Sequence, residues 1–113
     1  MMLEVEHEGE MAILRFAGRL DGTTVRQAEE RFLPLAEQGT GRFVFDLTGL
    51  EYISSAGLRF MLLAAKKTKT LNGRVALHGL TDNVREVFEI SGFLSIFPVF
   101  SSREEALAYA AER

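Results

Sequence analysis

Hydrophobic and polar positions change their period several times along this chain, and each change marks an element. Leu3-Glu-Val-Glu-His7 alternates, as a half-exposed edge strand does. Glu8-Gly9-Glu10 turns it into Met11-Ala-Ile-Leu-Arg-Phe-Ala-Gly18, the second strand of a hairpin. After Arg19-Leu20-Asp21-Gly22, Thr23 or Thr24 can cap a helix with the apolar stripe Val25, Ala28, Phe32 and Leu35. Pro34 falls late in that helix and is expected to kink or end it. Gln38-Gly-Thr-Gly41 reads as a loop.

From Phe43 to Leu47 the chain is nearly all apolar, the pattern of a strand covered on both faces. Thr48-Gly49 is expected to break this strand, which places Asp46 near its end. A helix is predicted from about Ser55 to Thr70, stopped by Leu71-Asn72-Gly73. Leu58, Met61, Leu62 and Ala65 form its expected core stripe, with Phe60, Leu63 and Ala64 on an adjacent face. Lys66, Lys67 and Lys69 gather at its end, as a cationic terminus suiting the helix dipole or as part of an apolar and basic docking face. Arg74 to His78 is the next strand. Thr81 caps a third helix with the stripe Val84, Val87 and Phe88, ending at Ser91-Gly92. Ile96 to Phe100 reads as a last short strand, at a sheet edge because Pro98 has no N–H to donate. Ser102 caps a final helix with Glu104 and Glu105 in its first turn.

The order β-β-α-β-α-β-α-β-α, with strands separated by single helices, predicts an α/β fold with a mostly parallel sheet opened by an antiparallel hairpin. One domain spanning residues 1–113 is expected, since no linker, repeat or low-complexity tract interrupts it. Composition narrows the chemistry. The chain has no cysteine, which removes disulfides, thiolate metal sites and thiol catalysis. His7 and His78 are its only imidazoles, too few for a histidine-rich metal site, and no cofactor is expected. A net charge of −3 gives no electrostatic case for nucleic acid as the main partner. The acidic start lacks a signal pattern and no apolar stretch reaches membrane-span length, so no membrane association and a cytoplasmic location are expected.

The junction between the Phe43 strand and the following helix carries the strongest functional signal. Ser54 and Ser55 stand where unpartnered backbone N–H groups point outward, a place for an N-cap or for a phosphate. Ala56 and Gly57 keep the surface there bare. A phosphate on either serine would bring about −1.5 to −2 charges onto it. Asp46 also has a purely structural reading, accepting turn hydrogen bonds from Thr48 or Gly49.

Asp46-Leu-Thr-Gly-Leu-Glu-Tyr-Ile-Ser-Ser-Ala-Gly-Leu58 closely resembles the motif of STAS domains, the anti-sigma factor antagonist family. Phe16-Ala-Gly-Arg-Leu-Asp21 is similar to the family's segment ahead of its first helix, and Val84 to Leu94, with Ile90-Ser-Gly-Phe93, resembles its third helix and the turn after it. The resemblance implies a STAS-like fold, a mixed sheet of about four to five strands with four helices. It implies an anti-sigma factor antagonist that is not itself an enzyme. Unmodified, such a protein binds an anti-sigma factor with serine kinase activity; phosphorylation of the serine two places before Gly57, here Ser55, releases it. A PP2C-type phosphatase resets the switch, and transcription is regulated indirectly. Partner contacts are implied at Asp21, Gly22, Thr23 and Thr24, at Asp46, and along Ser54, Ser55, Ala56, Gly57, Leu58 and Arg59.

The chain departs from the family at two of these positions. Ser54 stands where many members carry aspartate, so Ser54 is an alternative acceptor. Arg59 replaces a small residue, making the docking face bulkier and more basic. Other classes remain in view. STAS domains also serve as regulatory modules in other signalling and transport complexes, and a constitutive interaction or sensor domain binding a small ligand or nucleotide is a third reading, although no Walker-type phosphate loop occurs here. An enzyme reading would make Ser55 a nucleophile and His78 its base, but no Gly-x-Ser-x-Gly elbow is present.

Overall fold

The computed structural model describes residues 1–112. Strands β1 (Met2–Glu8) and β2 (Met11–Leu20) pair antiparallel across the turn at Gly9, as the alternation predicted. Helices α1 (Val25–Glu37), α2 (Ser55–Thr70), α3 (Asp82–Ile90) and α4 (Arg103–Ala111) then alternate with β3 (Arg42–Ile53), β4 (Arg74–His78) and β5 (Val99–Phe100). The result is a single sheet in the order β1-β2-β3-β4-β5, parallel from β2 onward.

Strand alternation divides the sheet into two unequal faces. On one, Leu14, Phe16, Phe43, Phe45 and Leu77 pack beneath α1, α2 and α3. Phe32 of α1 and Phe60 of α2 meet Phe43 and Phe45 there, with ring centroids 4.7 to 6.2 Å apart. Each fully buried phenylalanine of this cluster contributes about 1.5–3 kcal/mol. The other face is covered by α4 alone, through Ala106 and Ala110 set on Ile13, Val44 and Ala76. Alanine buries little area, and polar clips hold both ends of α4. The Arg103 guanidinium donates to Glu6 at 2.8 Å. At the far end, Arg42 donates to the Ala110 carbonyl at 2.6 Å, and Arg74 lies over the Tyr109 ring at 4.6 Å.

Both sheet edges are blunted. Glutamates 4, 6 and 8 line β1, and Arg31 of α1 donates to its Leu3 carbonyl at 3.1 Å. At the opposite edge β5 has only two residues and follows Pro98.

Four expectations are corrected. β3 does not break at Thr48-Gly49 but continues to Ile53. Of the kink or end expected at Pro34, the end does not fall at the proline itself: α1 runs three residues further, to Glu37. The last strand shrinks to Val99–Phe100, because Phe93–Ser95 forms a short 3-10 turn that leaves Ile96 half exposed. In α2 the deepest residues are Gly57, Phe60, Met61, Ala64 and Thr68, whereas Leu58, Leu62 and Ala65 lie on the partly buried flanks. The caps predicted at Thr81 and Ser102 form as expected, each hydroxyl accepting from the backbone N–H three residues on.

Candidate functional site

Beyond its pairing with β4, which ends at Asp46 and His78, β3 continues beside β2 alone. Two register shifts, opposite Arg15–Ala17 and Gly18–Arg19, each give β3 one more residue than β2 and re-aim this two-stranded arm. Gly49 permits the close approach, since a Cβ there would lie 3.0 Å from the Phe16 carbonyl oxygen and 3.1 Å from the Ala17 Cβ. The arm ends at the pair Leu20 and Ile53, and the Ser54 N–H then donates to the Leu20 carbonyl at 3.0 Å. This bond ties the start of α2 to the end of β2.

Gly57 tightens the tie. A Cβ on it would sit 2.6 Å from Ile53 Cγ1 and 2.7 Å from the Leu20 carbonyl oxygen, so only glycine lets the first turn of α2 seat so closely. Ser54 occupies the N-cap position with an extended backbone, and its carbonyl accepts from Leu58 N–H at 2.9 Å. Its hydroxyl does not cap the helix. Ser54 Oγ is buried and meets no hydrogen-bond partner among the described residues. Ser55, the first helical residue, is exposed. The α2 N–H groups facing the junction therefore receive no side-chain cap, and no acidic residue stands in that turn.

The loop between β2 and α1 is ordered beside this junction. The Asp21 carboxylate accepts from the Thr23 hydroxyl at 2.7 Å and from its N–H at 2.9 Å. Arg19 approaches it at 3.5 Å. The Thr23 hydroxyl, then the Thr23 N–H, then Arg19 hold the Asp21 carboxyl below the usual carboxylate range. Thr24 stands at the N-cap position of α1, yet its hydroxyl donates back to the Arg19 carbonyl at 2.8 Å instead of capping. Arg19 also stacks on the Tyr52 ring at 4.1 Å.

The structure brings Asp21, Gly22, Thr23 and Thr24 together with Ser54, Ser55, Ala56, Gly57, Leu58 and Arg59, joined through Leu20. Asp46 stays apart. It stands seven positions before Ile53, at most about 23 Å at 3.3 Å per residue, so it is not near the strand's end as expected. Strand parity places it on the α4 side of the sheet. There its Oδ1 accepts from the Thr48 N–H at 3.0 Å and hydroxyl at 2.7 Å, the structural reading considered for it. Arg15 and His78 each lie 3.7 Å from its Oδ2. His78 is buried beside Asp46 on β4, and the geometry does not set it next to Ser55 as a base.

Sequence reasoning missed Arg19, Leu20 and Tyr52. Leu50 and Ile53 are buried with Glu51 and Tyr52 exposed between them, a spacing that departs from the two-residue period of a strand because a register shift falls there, so the sequence carried no alternation to reveal Tyr52. Among the described residues no three metal-ligating side chains gather, and no helix is long and apolar enough to cross a membrane.

Comparison with known proteins adds the family. The sequence model of the STAS domain matches residues 2–106. BtrV of Bordetella bronchiseptica, a candidate anti-sigma factor antagonist, is 45% identical over 108 residues, covering 96% of this chain and 93% of BtrV. A solved anti-sigma-factor antagonist (STAS) domain protein from Planctomyces limnophilus is 26% identical, with a TM-score of 0.86 over 97% of this chain and 98% of that one. The Bacillus cell fate determinant SpoIIAA in its phosphorylated form superposes with a TM-score of 0.76, covering 96% of this chain and 98% of SpoIIAA. Its identity is 23%, so that likeness is one of fold.

Proposed function

The chain belongs to the STAS domain family, and from that premise we propose that it is an anti-sigma factor antagonist released from its partner by phosphorylation of Ser55. Unmodified, it binds an anti-sigma factor through the Asp21–Thr24 loop and the Ser54–Arg59 turn, which frees a sigma factor. The partner supplies the serine kinase and its ATP, and a PP2C-type phosphatase restores the binding form. A single domain does this work as substrate and ligand, with no catalysis of its own.

The observation that carries the choice of residue is the contrast between the two serines. Ser55 is exposed at the first position of α2, whereas Ser54 Oγ is buried. A kinase can reach the first hydroxyl without disturbing the fold; reaching the second requires opening the junction held by the Ser54–Leu20 bond. A phosphate on Ser55 places its charge at the positive end of the helix dipole, where it is tolerated. It need not unfold the domain, because added bulk and charge on a bare docking surface suffice to repel a partner.

The test uses an anti-sigma factor with serine kinase activity from the same organism. Ser55→Ala is expected to bind it and Ser55→Glu to bind at least tenfold more weakly, with the kinase labelling wild type and Ser54→Ala but not Ser55→Ala. Equal binding by Ser55→Ala and Ser55→Glu overturns the switch, and labelling confined to Ser54 overturns the choice of acceptor.

A further inference from the structure

Ser55 and Arg59 are separated by one turn of α2 and are both exposed. Residues four apart on a helix face each other, with Cβ atoms about 5–6 Å apart. An anion on the N-terminal member and a cation on the C-terminal one is the favourable order, since it runs with the helix dipole. Arg59 has no ion pair or hydrogen bond among the described residues, unlike Arg15, Arg19, Arg42, Arg74 and Arg103. Its guanidinium is therefore an uncommitted cation beside an exposed hydroxyl. No carboxylate stands in the first turn of α2 to compete for it.

We infer that Arg59 is the internal counter-ion of the switch. The inference rests on Ser55 being the residue modified. While Ser55 carries a free hydroxyl, Arg59 is available to a carboxylate on the partner's docking surface. Once Ser55 is phosphorylated, the guanidinium turns to the phosphate oxygens of its own helix, in the fork geometry that suits arginine to phosphate. One modification thus removes a cation from the docking face and adds an anion to it. The partner's carboxylate loses its counter-charge and meets a like charge in its place. Lysine at the same position would keep the charge and lose the two-pronged geometry.

The experiment installs phosphoserine at position 55 during translation, so it depends on no kinase and no partner. The second ionisation of the phosphate is followed by 31P NMR in wild type, Arg59→Gln, Arg59→Lys and Lys69→Gln. That ionisation ordinarily falls near pH 6. Arg59 is expected to lower it by roughly 0.3 units relative to Arg59→Gln, the scale of an exposed pair one helical turn apart. Arg59→Lys should fall between the two, and the shift should shrink in 1 M salt, where screening is nearly complete. Lys69→Gln, three turns further along, should titrate as wild type does. Coincident curves for wild type and Arg59→Gln overturn the inference, as does an equal shift in Lys69→Gln, which would mean a diffuse field and not a pair. Failure of an anti-sigma factor to bind the unmodified protein is a separate result that bears on the proposed function alone.

Discussion

Replacing Gly57 by alanine sets two effects of opposite sign against each other, and the structure decides between them. In an exposed helix the change would stabilise by about 1 kcal/mol, because alanine loses less backbone freedom on folding. Gly57 is buried, and the added methyl would lie 2.6 Å from Ile53 Cγ1, 2.7 Å from the Leu20 carbonyl oxygen and 3.0 Å from Leu20 Cγ. The Leu20 oxygen cannot yield cheaply, since it belongs to the strand end paired with Ile53 and accepts the Ser54 N–H. Overpacking of this kind costs about 1–3 kcal/mol. With the helix gain deducted, a net loss of about 1 kcal/mol is expected, read as a lower urea midpoint and a Tm reduced by roughly 4 °C. Relief of the clash pushes α2 away from β2, so amide exchange at Ser54 should quicken in the folded state. Gly22→Ala is the control, because its Cβ would meet nothing within 4 Å. A Gly57→Ala protein as stable as wild type, with Ser54 exchange unchanged, refutes the seating argument.

Two further outcomes follow from the charged face beneath α4. Asp46→Asn keeps one acceptor for Thr48 but removes the charge facing Arg15 and His78. It should lower stability by about 1 kcal/mol in urea titration while leaving phosphorylation of Ser55 at the wild-type rate; a lost phosphorylation rate would return Asp46 to the docking surface. Glu6 is held below the ordinary glutamate pKa, first by the hydrogen bond from Arg103 and then by that from Arg15. A depressed folded-state pKa means stability that is present above the unfolded value of about 4.3 and lost as pH falls through the folded value. Acid titration should therefore loosen α4 in that window, seen as faster amide exchange in Arg103–Ala111, and Glu6→Gln should remove this part of the pH dependence.

Legibility from the sequence varied with the kind of signal. The span of α2, the strand Arg74–His78 and the caps at Thr81 and Ser102 were readable because each depends on residues within one turn of chain. The length of β3 was not. Thr48-Gly49 has turn chemistry, yet Asp46 satisfies Thr48 within an extended strand, and Gly49 serves the neighbouring backbone of β2, a long-range cause. The buried face of α2 was misjudged for a different reason. Phe60 to Ala65 is apolar throughout, so period alone cannot set the phase of the stripe; contact with Phe16, Phe32 and Phe45 sets it. At the candidate site the loop and the serine turn were foreseen, while Asp46 was drawn in by the early end assigned to its strand. The burial of Ser54 Oγ had no sequence signal at all, since adjacent serines differ only once the Leu20 bond fixes their backbone.

The blunted edges of the sheet bear on how such a protein could be used by a cell. An antagonist that works by occupying its target acts by stoichiometry, so it must accumulate to at least the abundance of what it neutralises. At those concentrations an open strand is a hazard, because any like chain can zip onto it. A row of glutamates and the Arg31 clamp on one side, and a two-residue strand behind a proline on the other, close both routes. The features that leave the sheet unable to grow are then what guard a concentrated pool of the protein against edge-to-edge assembly.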